Sequence, residues 1–144
     1  MRPHISLNVR DVPASVEFYR KVFGVMPQKQ TVDYAKFDLT TPPLNFSLVS
    51  SPDGTRPPQP RQDAALPSAL SAVNHLGIEV DYPGEVCGWE RRLREHGIVE
   101  KVEDNIECCF ARQDKVWFTD PDGNQWEIFT VHEQLPVSTS LQET

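Results

Sequence analysis

The chain repeats itself, and the repeat limits the folds open to it more than any other feature. His4-Ile5-Ser6-Leu7-Asn8-Val9 alternates apolar and polar side chains with the period of a half-buried strand. His75-Leu76-Gly77-Ile78-Glu79-Val80 does the same and also opens on histidine. Each run leads through turn residues into an amphipathic helix. In the first copy Val12, Val16, Tyr19, Val22 and Phe23 recur at helical spacing, with Pro13 suited to the first turn and Gly24 to the stop. In the second, Val86, Trp89 and Leu93 line one face, with Pro83-Gly84 before and Gly97 after. Strand patterns follow each helix: 28–32, 34–39 and 44–49 in copy one, then 99–103, 116–119 and 125–131 in copy two. Thr41-Pro42-Pro43 and Asp120-Pro121-Asp122-Gly123-Asn124 make the last turn of each copy. The predicted unit is therefore β-α-β-β-β, present twice, in an α+β chain.

These units divide the chain into module one (1–50), a connector (51–72), module two (73–131) and a tail (132–144), together one domain over 1–144. The connector carries Pro52, Pro57, Pro58, Pro60 and Pro67 among polar residues, the composition of an exposed linker. The net charge of −7 argues against a nucleic-acid or anionic-membrane surface, either of which needs concentrated basic charge. Arg91, Arg92 and Arg94 read as a solvated helix face. No apolar run is long enough to span a bilayer, and the first residues lack the zones of a secretory signal. Three cysteines, one pair adjacent, make no disulfide framework and suit a reducing cytoplasm.

Used as a ruler, the repeat brings chemistry-bearing residues to equivalent positions. His4 and His75 open equivalent strands. Asn45-Phe46-Ser47-Leu48-Val49 matches Gln125-Trp126-Glu127-Ile128-Phe129, so Ser47 stands where the second copy has Glu127. The four equivalent positions hold His, Ser, His and Glu: three good ligands and one vacancy. Two imidazoles and one carboxylate with open positions suit non-heme Fe(II). Mn(II), Ni(II), Co(II) and Zn(II) also fit that donor set. His96 and His132 have no repeat partners and read as surface histidines. The 120–124 run has its glycine too early for a calcium loop and lacks the closing glutamate.

Cys108 and Cys109 are adjacent. Neighbouring Cα atoms lie about 3.8 Å apart, closer than the roughly 4.4 Å that a relaxed disulfide prefers. A flexible dithiol can instead chelate a soft, thiol-seeking element such as trivalent arsenic or cadmium. The run 104–109 reads as a loop able to close over a substrate. Cys87, near the repeat position of Val16, reads as core packing or a bystander thiol.

These features resemble the vicinal oxygen chelate superfamily of glyoxalases, bleomycin- and fosfomycin-resistance proteins and extradiol dioxygenases. Within it, Leu7-Asn8-Val9, 15–19, 33–37, Asn74-His75-Leu76-Gly77-Ile78, Cys108-Cys109 and 113–127 resemble the organoarsenical carbon–arsenic lyases and the related cadmium-induced proteins. The resemblance implies two tandem βαβββ modules forming a curved mixed-sheet cup, as a monomer or a homodimer. It implies an Fe(II)- and dioxygen-dependent enzyme that releases arsenite from trivalent methyl- or aryl-arsenicals. His4, His75 and Glu127 become the metal ligands, although some relatives carry Gln at the first position. Cys108 and Cys109 become the arsenic-binding pair. Lys115 is the basic residue placed near the site, with an electrostatic or proton-handling role, or else a solvated strand lysine.

Four other functions compete with this reading. A cadmium- or arsenite-sequestering protein would need the same thiols. A glyoxalase normally fills the fourth position with a carboxylate or amide, which Ser47 does not supply. Fosfomycin-type chemistry uses two His and one Glu but has no role for the cysteines. A non-catalytic domain of this fold is the plainest alternative.

Overall fold

The computed structural model describes residues 1–50, 73–108 and 111–134, with backbone alone at 104–108, 111–113 and 132–134. The first module runs β1 (His4–Asn8), α1 (Val12–Phe23), β2 (Lys29–Gln30), β3 (Tyr34–Leu39) and β4 (Leu44–Val49). The second runs β5 (Leu76–Glu79), α2 (Pro83–Glu95), β6 (Lys101–Cys108), β7 (Ala111–Thr119) and β8 (Gln125–Gln134). Each builds a four-stranded sheet, in the order β1-β4-β3-β2 and β5-β8-β7-β6. The orders are identical once the elements are matched by position, so the repeat of the sequence is a repeat of topology. In the first sheet β1 runs parallel to β4 and β3 antiparallel to it. A parallel neighbour needs a crossover, which α1, β2 and β3 provide.

The backbone groups into two compact units, the described parts of 1–76 with 119–126, and of 77–118 with 127–144. In the first, α1 starts where the Asp11 carboxylate accepts the Ala14 N–H at 3.0 Å and stops at Gly24, whose φ of 69° is left-handed. Its apolar face packs on β3 and β4. An aromatic cluster forms there, with Tyr19 and Phe46 ring centroids 4.7 Å apart and Trp126 6.0 Å from each. The 120–124 turn is tied into the same unit. The Tyr19 hydroxyl, fully buried, donates to Asp120 at 2.5 Å and accepts from Trp126 Nε1 at 3.0 Å. Arg10 N–H donates to Asp122 at 3.0 Å.

In the second unit Ile78, Val86, Leu93, Val116, Phe118 and Ile128 are buried. Cys87 is exposed, so the core-packing alternative for it fails: its neighbour Val86 takes the inward place. Arg92 is not simply solvated, because its guanidinium lies 4.2 Å from the centre of the Trp89 ring. The run 104–108 is strand, not loop. β6 continues to Cys108 and pairs with β7, absorbing the turn-prone Asp104-Asn105 in a register shift between Glu103 and Ile106.

Candidate metal and substrate site

Strand alternation sorts the second sheet into two faces. On β8 the even positions Trp126, Ile128 and Thr130 are buried; on β7 so are Val116 and Phe118. The opposite face carries Glu127 and Phe129 from β8 and Lys115 and Trp117 from β7. Glu127 is nonetheless only 6 % exposed. A carboxylate taken out of water needs a compensating charge, and Lys115 Nζ supplies one at 3.2 Å from Oε2.

Gly77 on β5 makes room for this glutamate. A Cβ at that position would lie 3.1 Å from Glu127 Cγ, 3.3 Å from Phe129 Cε1 and 3.4 Å from Glu127 Oε1. The missing side chain lets the carboxylate lie against the strand, a need that the alternating pattern of β5 does not reveal. Trp117 is oriented by its Nε1–H, which donates to Glu103 at 2.9 Å. The hydrogen bonds from Lys101 and then from Trp117 hold the Glu103 carboxyl below its usual range.

Both predicted imidazoles are exposed and lie at strand openings. His4 is the first residue of β1, opposite Asn45. Its Nδ1 lies 3.0 Å from the Asn45 carbonyl oxygen, which can only accept, so Nδ1 carries the proton. His75 stands just before β5, with Nδ1 2.7 Å from Asn74 Oδ1, and the same reasoning applies. In the neutral ring this puts the lone pair on Nε2, the tautomer set up by a hydrogen bond on the other nitrogen. Ser47, the fourth position of the repeat, is buried on β4 between Ser6 and Lys36. Among the described residues no three His, Cys, Asp or Glu side chains are gathered as a metal set. Cys108 is the last residue of β6, opposite Ala111; its side chain and the whole of Cys109 lie outside the described residues. His96 caps the end of α2 and is exposed, as a surface histidine should be. The side chain of His132 is not among those described.

Comparison with known proteins gives a family match over residues 2–128 to the Glyoxalase/Bleomycin resistance protein/Dioxygenase superfamily. The chain belongs to that superfamily. Within it, a Bacillus subtilis relative named "Probable trivalent organoarsenical cleaving enzyme" is 43% identical over 126 residues, spanning 88% of this chain and 77% of that protein. The "Cadmium-induced protein CadI" of Mycobacterium tuberculosis is 38% identical over 130 residues, spanning 90% and 76%. Among solved structures, a glyoxalase/bleomycin resistance protein/dioxygenase from Alicyclobacillus acidocaldarius superposes with a TM-score of 0.66 over 90% of each chain. Its identity is 16%, so it speaks for the superfamily's fold alone. No helix among the described residues is long and apolar enough to cross a membrane.

Proposed function

We propose that this superfamily member cleaves the carbon–arsenic bond of trivalent methyl- or aryl-arsenicals and releases arsenite, using Fe(II) and dioxygen. The observation that carries the reading is the 43% identity to a protein named for cleaving such compounds, over nearly nine-tenths of the chain. The chemistry of the residues agrees with it. His4 and His75 present the imidazole tautomer that ligates through Nε2, and Glu127 is a buried anion already compensated by a cation. As residue types, two imidazoles and a carboxylate suit Fe(II), and also Mn(II), Ni(II), Co(II) or Zn(II). When bound, iron supplies one-electron activation of dioxygen.

The remaining work belongs to the protein. The thiolates of Cys108 and Cys109 are its soft donors, and trivalent arsenic is a soft acceptor. Once one sulfur is bound, the second attachment is effectively intramolecular, with an effective concentration on the order of millimolar or more. Two sulfurs leave the organic group as the third substituent of arsenic. Holding that carbon–arsenic bond where oxygen is activated replaces a chance encounter with a positioned reaction. Free thiols in this role call for a reducing compartment, so we place the protein in the cytoplasm.

Similarity to a cadmium-induced protein favours a second reading, in which the same thiols sequester metal without turnover. One experiment separates the two. Iron-loaded protein incubated with a trivalent methylarsenical should release arsenite in air and none under argon. Arsenic that stays bound and methylated in air would favour sequestration; arsenite released under argon would remove oxygen from the reaction.

A further inference from the structure

The carboxylate of Glu127 already holds a cation. We infer that Lys115 is a built-in stand-in for the metal: its ammonium neutralises Glu127 until a divalent cation displaces it, so that loading the site exchanges one cation for another. The inference rests on the proposed role of Glu127 as a metal donor and adds to it a residue that sets how readily the site fills.

Three features of the second sheet point this way. The pair is shielded, with the Lys115 and Glu127 side chains 17% and 8% exposed, so neither charge is answered by water alone. Its geometry puts Nζ 3.2 Å from Oε2, and the absence of a side chain at Gly77 leaves the carboxylate room against β5. The displaced ammonium also has somewhere to go. Nζ stands 5.6 Å from the centre of the Trp117 ring and 5.8 Å from that of Phe129. Aromatic faces attract a cation, and Trp117 is held in place by its hydrogen bond to Glu103. A lysine on its flexible stem can leave the carboxylate yet stay against these rings. An arginine, with its planar fork, would grip the carboxylate through two hydrogen bonds and yield it less easily.

The test is calorimetric titration with Mn(II), a hard ion that discriminates against the cysteine pair, on the wild type and on Lys115→Met, Lys115→Arg and Glu127→Gln. Exchange predicts that Lys115→Met tightens the Mn(II) Kd about tenfold or more, as expected when a close charge pair is no longer broken on binding. It predicts that Lys115→Arg weakens binding severalfold. A tighter Met variant with an Arg variant equal to wild type would mean plain charge repulsion and overturn the exchange, as would a Met variant of unchanged or weaker affinity. If Lys115→Met does not fold, the arginine variant decides: weaker binding supports exchange, equal or tighter binding overturns it. Glu127→Gln separates the two levels. Lost Mn(II) binding there, with no effect at Lys115, sinks the exchange alone; wild-type binding by Glu127→Gln sinks the metal role of Glu127 and the exchange with it.

Discussion

Tyr19→Phe removes one oxygen from the centre of the first unit and should be among the most damaging conservative changes available there. The ring and its packing against Phe46, Phe23 and Trp126 survive. What is lost is the 2.5 Å hydrogen bond to the Asp120 carboxylate, a charge-assisted contact worth about 1.5–3 kcal/mol. Trp126 Nε1–H also loses its acceptor at 3.0 Å within a side chain only 1% exposed, a desolvation penalty of about 1–3 kcal/mol. Together these give a loss of roughly 3–5 kcal/mol, or a fall in Tm of about 10 °C or more for a domain of this size. The turn itself should persist, since Asp120 keeps three hydrogen bonds from Asp122 and Asn124. Urea unfolding followed by circular dichroism measures the change. The same group predicts a pH dependence. Burial, followed by the negative charge of Asp120, raises the Tyr19 pKa well above its usual value. The unfolded chain then ionises first, near pH ~10, while the folded protein keeps its proton. The stabilisation is whole below that pH and declines above it, by about 1.4 kcal/mol per pH unit, until the folded group ionises. The gap between wild type and Tyr19→Phe should be constant at neutral pH and narrow above about pH 10. A neutral-pH loss below about 1 kcal/mol would refute the account of Tyr19 as the tie between α1 and the 120–124 turn.

Gly77→Ala places a methyl group 3.1 Å from Glu127 Cγ. It should cost about 1–3 kcal/mol and lower bound iron, read by thermal melting and elemental analysis. Cys108→Ala should abolish arsenite release while leaving metal content near wild type, because its sulfur is assigned to arsenic and not to iron. Glu127→Ala removes the one anionic donor of the proposed set, and protein purified with iron should come away nearly empty by elemental analysis.

The fold was legible where period and punctuation agreed. Tyr34–Leu39 and Leu44–Val49 have the bounds that alternation predicts, and α1 ends at the glycine that marks its stop. The pattern misled where polar residues sit inside strands. Asp104-Asn105 carries turn chemistry, yet a register shift takes it up and β6 runs on to Cys108. Ala111-Arg112-Gln113-Asp114 lacks alternation and becomes strand because β7 pairs antiparallel with β6. In the second copy the repeat leads to Glu127, and Lys115 is expected near the site, but their direct contact is not foreseen. Nothing in single positions joins Lys115 to Glu127, or shows that Gly77 is small to clear a carboxylate, because both facts depend on which strands lie side by side. Tyr19 reads as one more apolar position on a helix; its hydroxyl matters only because Asp120, about a hundred positions away, comes beneath it. A tyrosine on a buried helical face is the available hint, since its oxygen must find a partner.

We propose that His4, His75 and Glu127 ligate one cation. Anomalous diffraction at the iron edge, from crystals loaded with Fe(II) under argon, tests it without assuming any activity. The account predicts a single peak per chain within bonding distance, about 2.2 Å, of Nε2 on both imidazoles and of a Glu127 oxygen. A peak elsewhere, or one touching only one of the three side chains, would contradict it.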